Sequence, residues 1–133
     1  PNIVIQTWFD GGLLGEPNGQ EGWFSQMAGL WQHGTGSYGP EQMERIHASI
    51  GGETHAWSDR DGFGLNGWYL SRNPSKAIDL YAQLLTQPSF PQELFELNQK
   101  RTLQHLHTLK DNLFRYGLKH FLKNDLLPYN QQY

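Results

Sequence analysis

Residues 53–58 (Glu-Thr-His-Ala-Trp-Ser) and 63–70 (Phe-Gly-Leu-Asn-Gly-Trp-Tyr-Leu) have strand-like composition and are separated only by Asp59-Arg60-Asp61-Gly62. A link that short joins neighbouring strands only when they run antiparallel, because a parallel neighbour needs a crossover of a dozen or more residues. This hairpin sits in the middle of the chain with helical patterns on both sides. A further strand is predicted over residues 2–9 (Asn-Ile-Val-Ile-Gln-Thr-Trp-Phe), stopped by Asp10-Gly11-Gly12. Gly15, Pro17, Asn18 and Gly19 mark residues 13–20 as a loop.

The remaining segments follow helical spacing. Trp23, Met27, Leu30 and Trp31 form one stripe over residues 21–33, which Gly34-Thr35-Gly36-Ser37 breaks. Pro40 opens a second helix with Met43, Ile46 and Ile50 on one face, and Gly51-Gly52 stops it. Asn73-Pro74 reads as an N-cap and a first-turn proline, followed by a helix to about Thr86 with Ile78, Tyr81, Leu84 and Leu85 inward. After Pro88 and Pro91, a long helix is predicted over 92–112, with Leu103, Leu106, Leu109 and Leu113 spaced for burial. A last helix is predicted over 114–126, using Leu118, Phe121 and Leu122. The order β-α-α-β-β-α-α-α does not alternate strand with helix, so a doubly wound parallel sheet is disfavoured. It predicts an α+β fold, an antiparallel sheet with helices packed on one face.

Composition limits the function classes. Hydrophobic residues at 37% and aromatics at 14% supply enough apolar bulk for a packed core. The net charge of −3, with both signs interspersed, gives no basic stripe for nucleic acid. Cysteine is absent, which removes disulfides and thiolate metal sites but does not separate cytoplasm from periplasm. No apolar run is long enough to span a membrane. The chain opens on a strand pattern and closes without a structural stop, so it reads as one domain, 1–133, or part of one.

The segment Gly22 to Thr35 (Gly-Trp-Phe-Ser-Gln-Met-Ala-Gly-Leu-Trp-Gln-His-Gly-Thr) carries the strongest family signal. Together with Trp8-Phe9-Asp10-Gly11-Gly12, the Ser37–Gly52 helix and glycine pair, the Trp57–Ser71 hairpin with its Leu70–Asn73 exit, and Leu84-Leu85 before Pro88-Ser89-Phe90, it resembles the pitrilysin/insulinase (inverzincin) zinc metallopeptidases. The resemblance runs through most of the chain. It implies the first portion of a metallopeptidase-type module, in an order that a complete module would continue with more strands.

In active modules of that family the first helix carries His-x-x-Glu-His, whose imidazoles share one helical face and whose glutamate readies the attacking water. Counting back from Gly34-Thr35, that frame falls on Ser25-Gln26-Met27-Ala28-Gly29. Ser25 and Gly29 stand where the histidines would be and Ala28 where the base would be. No glutamate follows Glu96 to supply a third ligand. The resemblance therefore implies a non-catalytic module with no catalytic and no metal residues and no cofactor of its own. Zinc is implied only for the parent protein. The implied partners are the parent's peptide substrate and a catalytic module of the same chain or of a partner subunit, with no nucleic acid and no membrane span. A stand-alone interaction or scaffold protein on the same fold is the alternative, and an unrelated α+β ligand-binding domain a further one.

Other constellations favour ordinary structural readings. His105 and His107 are two apart on a helix, about 200° around the axis, and cannot share an ion. Asp59, Asp61 and Glu53 lack the ligand ladder of a calcium loop, and the segment reads as a solvated hairpin tip. Gly34-Thr35-Gly36 lacks the Gly-Lys-Ser/Thr of a phosphate loop and reads as a helix stop. Trp57, Trp68 and Tyr69 on the hairpin are the candidate peptide-wall contacts, with the hairpin as the candidate edge for strand addition. Leu106→Ala is expected to cost about 2–5 kcal/mol if that face of the long helix is buried.

Overall fold

The computed structural model describes residues 1–111 and residue 117. Among them the order is β1 (Asn2–Asp10), a 3₁₀ turn (Gly12–Gly15), α1 (Trp23–Trp31), α2 (Pro40–Ile50), β2 (Gly52–Ser58), β3 (Gly62–Leu70), α3 (Pro74–Thr86) and α4 (Gln92–Asp111). Apart from residue 117, the expected helix over 114–126 lies outside the described residues. The fold is α+β, with a three-stranded, wholly antiparallel sheet in the order β1-β3-β2. Pro1–Phe95 forms one compact unit, and Glu96–Tyr133 a second. No described helix is long and apolar enough to cross a membrane.

The two faces of the sheet follow from the period-2 alternation of strands. Ile3, Ile5, Thr7 and Phe9 of β1 align with Tyr69, Gly67, Leu65 and Phe63 of β3, and these with Gly52, Thr54, Ala56 and Ser58 of β2. This face meets the helices. Leu65 and Tyr69 are buried there with Ala28 and Trp31 of α1, Met43 and Ile50 of α2, and Ala77, Leu80, Tyr81 and Leu84 of α3. The α3 residues recur at i, i+3, i+4 and i+7, the stripe that one helical face presents.

The start of α1 and both ends of α2 have local causes. Gly22 adopts a left-handed conformation (φ 101°) before α1. The Glu16 carboxylate accepts the backbone N–H groups of Gly22 (2.7 Å) and Phe24 (2.8 Å), occupying donors that the first turn leaves free. Pro40 opens α2, the Gln42 side chain accepts the Gly39 N–H, and Gly51 (φ 75°) ends it. Asn73 precedes Pro74 as expected but makes no side-chain cap hydrogen bond.

Two turns are tied to distant chain. Gly34-Thr35-Gly36 does more than stop α1: it pairs with the strip after α3, through Gly36 N–H to Gln87 O (2.8 Å) and Ser89 N–H to Gly34 O (3.0 Å). Thr35 is buried, and its hydroxyl oxygen accepts the N–H groups of Ser37 and Tyr38. The hairpin tip is also docked. The carbonyls of Asp59, Arg60 and Asp61 accept the N–H groups of Leu13, Leu14 and Gly11.

Several inward assignments need correction. Trp23 is 67% exposed at the start of α1; Phe24, one position on, packs inward instead, its ring 4.7 Å from that of Phe63. Ile78 is exposed because it lies one position off the Ala77-Leu80-Tyr81-Leu84 stripe. Leu103 and Leu106 are exposed at 53% and 41%: helical spacing marks a face without saying what covers it. The side chains of Leu109 and Leu113 lie outside the described residues.

Candidate functional site

The face of the sheet opposite the helices is built from the even residues of β1 and β3 and the odd residues of β2. Three cross-strand rows run over it: Val4–Trp68–Glu53, Gln6–Asn66–His55 and Trp8–Gly64–Trp57. Val4, Trp8, Trp68 and Leu70 are exposed large apolar residues on this face. Such a cluster on one sheet surface is more informative than the same side chains scattered singly.

Glycines of the central strand shape the surface. A Cβ on Gly62 would fall 1.7 Å from the Trp8 indole nitrogen, and one on Gly64 would fall 1.9 Å from the Thr7 carbonyl oxygen and 3.2 Å from the Trp57 ring. Both indoles therefore lie down on β3, a packing that any side chain at those two positions would prevent. Between them a shallow depression of about 270 Å³ is lined by Gln6, Thr7, Trp8, Trp57 and Asn66. The Trp57 indole N–H is buried and has no hydrogen-bond partner among the described residues. At the far end of the sheet a second depression, about 380 Å³, is lined by Asn2, Gly51, Gly52, Glu53, Trp68, Tyr69 and Leu70.

Of the three residues the sequence singles out, Trp57 is half-buried on β2 and Trp68 exposed on β3, on the same face. Tyr69 points the other way. It is 1% exposed, and its hydroxyl is hydrogen-bonded to that of Thr54 within the core, so it cannot serve as a wall contact. Of the hairpin strands, β3 is central and β2 lies at a sheet edge, where the outward Ala56 N–H donates to the Gln32 side chain at 2.6 Å. Trp8, Gln6 and Asn66 were missed. Their signal was the alternation of 2–10, which becomes a shared surface only once the register with β3 is known.

The helix-facing side holds a polar network within the core. His47 Nε2 lies 3.1 Å from Thr54 Oγ1, and Thr54 in turn bonds Tyr69. Burial pulls the His47 pKa below its ordinary value, with Glu53 opposing that shift and His33 adding to it. The Tyr81 hydroxyl donates to the Leu65 carbonyl at 2.7 Å and lies 2.9 Å from Thr7 Oγ1. Burial raises the pKa of Tyr81 and of Tyr69, each against a threonine hydrogen bond that lowers it. Both phenols are therefore neutral hydrogen-bonding groups of the core.

On α1, the metallopeptidase frame places Ser25 and Gly29 at exposed positions and Ala28 in the core. A hydroxyl, a methyl and a hydrogen atom do not fit zinc, which takes imidazole, thiolate or carboxylate donors. Among the described residues no group of three His, Asp or Glu side chains has metal-site geometry.

The sequence matches no protein-family model and no curated protein. Among solved structures, a protease from Helicobacter pylori superposes with a TM-score of 0.71 over 84% of this chain, at 17% sequence identity. The fold is protease-like. The chain spans 27% of the length of that protease.

Proposed function

We propose that this chain is a non-catalytic module, or part of one, of a zinc-dependent endopeptidase of the pitrilysin/insulinase type. Its role would be to close the chamber around a peptide held by a catalytic module elsewhere. The observation that carries the reading is the pairing of a protease-like fold with a first helix that has Ser25, Ala28 and Gly29 in the metal-binding frame. The open sheet face, with its two lying indoles and the carboxamides of Gln6 and Asn66, supplies flat apolar contact and hydrogen-bonding groups of the kind a peptide meets on a chamber wall. Trp57 and Trp68 remain wall candidates, now beside Trp8.

The test is to read and express the reading frame on both sides of this segment and its adjacent gene. A His-x-x-Glu-His motif there, with zinc-dependent peptide hydrolysis by the complete product, supports the module. Stoichiometric zinc binding by this chain itself, lost when one of its histidines is replaced, would overturn it. A complete frame with neither motif nor hydrolysis would favour the stand-alone interaction protein.

A further inference from the structure

We propose that Asn18 is a site of spontaneous covalent modification, converting through a cyclic imide with Gly19 to aspartate and isoaspartate, while the same dipeptide at Asn66-Gly67 is held unreactive by the sheet. The chain carries Asn-Gly at both places. The reaction needs the backbone nitrogen of the glycine to reach the asparagine side-chain carbonyl. A following residue without Cβ leaves that approach open and lets the backbone rotate into it.

The two sites differ in what holds the nitrogen. Pro17 to Gln20 form a turn closed by Gln20 N–H to Pro17 O at 3.0 Å, so the Gly19 nitrogen is not the donor that closes it. Gly19 has φ 84° and Asn18 a negative φ, the combination of a type II turn. Residues 17–21 are exposed, and a Cβ on Gly19 would meet nothing within 4 Å. Ring closure there requires only this surface turn to rotate.

Gly67, in contrast, is buried in the central strand, paired with Ile5 on one side and Thr54 on the other. Ser71 N–H donates to the Pro1 carbonyl, and bonded pairs alternate along an antiparallel ladder. That phase puts the Gly67 N–H on the Ile5 carbonyl. Attack at Asn66 therefore requires the ladder to open first, a cost that surface turns do not carry.

The chemistry balances with water as the one co-reactant. The Gly19 nitrogen gives up its proton and bonds to Asn18 Cγ. The Cγ–Nδ2 bond breaks, and Nδ2 leaves as ammonia with that proton. Water then opens the imide at Cγ, giving aspartate, or at the Asn18 backbone carbonyl carbon, giving isoaspartate. Either product adds one negative charge to the net −3 of the chain. In isoaspartate the main chain gains a carbon inside the loop that Glu16 closes through Gly22 and Phe24. The inference does not depend on the proposed peptidase role.

Incubation of the folded 133-residue chain across a pH series, followed by mass-resolved peptide mapping, tests it. The expected result is conversion at Asn18 to two products of equal mass, faster at higher pH, where more of the attacking nitrogen is deprotonated. Asn18 should react at least about tenfold faster than Asn66, the factor that an opening cost of about 1.4 kcal/mol imposes. In urea the two rates should converge, since the dipeptide is the same. A folded-state ratio no larger than the ratio in urea overturns the proposal. So does an Asn18 that stays intact when folded but reacts in urea, or one that yields aspartate with no isoaspartate, since no imide would then have formed.

Discussion

The indole N–H of Trp31 supplies the Leu84 carbonyl with the hydrogen bond that Pro88 cannot. Leu84 lies in the last turn of α3, and the residue four positions on is a proline without an N–H. Trp31 Nε1 donates to that carbonyl at 2.7 Å from the end of α1, in a buried setting. One side chain thus caps a distant helix and adds an aromatic wall to the core. Trp31→Phe keeps most of the ring and removes the donor. It is expected to cost about 1–3 kcal/mol, the penalty for a buried carbonyl left unpaired. Urea unfolding of the two proteins measures it, and equal midpoints would show that the carbonyl finds another partner.

Gly12 is a position where the backbone leaves no room for a side chain. Its φ is 51°, and a Cβ there would meet the Asp59 carbonyl oxygen at 2.3 Å and the Gly62 nitrogen at 2.6 Å. These are main-chain atoms of the hairpin tip, held by the Leu13 and Leu14 N–H groups, so no side chain can swing aside to relieve the clash. Gly12→Ala is expected to cost about 3 kcal/mol or more. Gly19→Ala, at φ 84° with nothing within 4 Å of the new methyl, is the control. It carries only the left-handed backbone penalty of about 1–2 kcal/mol. Thermal unfolding of both variants should rank them in that order; the reverse order would mean that the tip does not dock on the 3₁₀ turn.

Leu65 and Leu106 separate burial from pattern. Leu65 is fully buried at the centre of β3, whereas Leu106 is 41% exposed on α4. Leu65→Ala is expected to cost about 2–5 kcal/mol, as a large-to-small change in a packed core does. Leu106→Ala is expected to cost below about 1 kcal/mol, in the range of a surface substitution. Matched denaturation curves decide it. A large loss for Leu106→Ala would mean that this leucine is covered in solution.

Much of the fold was legible because local chemistry and global topology agree. Pro40 and Gly51-Gly52 bracket α2, the four-residue link at 59–62 forces the hairpin antiparallel, and Tyr81 and Leu84 mark the inward side of α3, though Ala77 and Leu80 rather than Ile78 complete its stripe. The surface was less legible. Strand alternation states that Trp68 and Tyr69 face opposite ways, but not which of them faces the helices. Which side wins depends on the register across three strands, and that places Tyr69 beside Thr54 and Trp68 beside Val4. The order β1-β3-β2 was similarly hidden, since nothing local says that the first strand pairs with the last. That order puts β3 of the hairpin at the centre and β2 at an edge among the described strands. The exposure of Leu103 and Leu106 shows the limit of periodicity, which identifies an apolar face whether or not anything covers it.

His47 gives stability a defined pH dependence. Its imidazole packs beside Thr54, and burial holds its pKa below the ordinary 6.5 more strongly than Glu53 pulls it back. The folded chain thus prefers the neutral ring, which accepts a hydrogen bond at Nε2 when the Thr54 hydroxyl donates. The unfolded chain takes up the proton near 6.5. Stability from this group is therefore complete above 6.5. It falls as pH drops from there toward the lower folded-state value, where protonation of both states ends the dependence. A titration of the ring resonances should place the His47 midpoint below 6.5. His47→Gln, which keeps an acceptor for Thr54 but cannot titrate, should flatten the fall in unfolding free energy between neutral pH and pH 5. A midpoint at or above 6.5, or an undiminished slope in the variant, would show that the ring is solvated and charged in the folded chain.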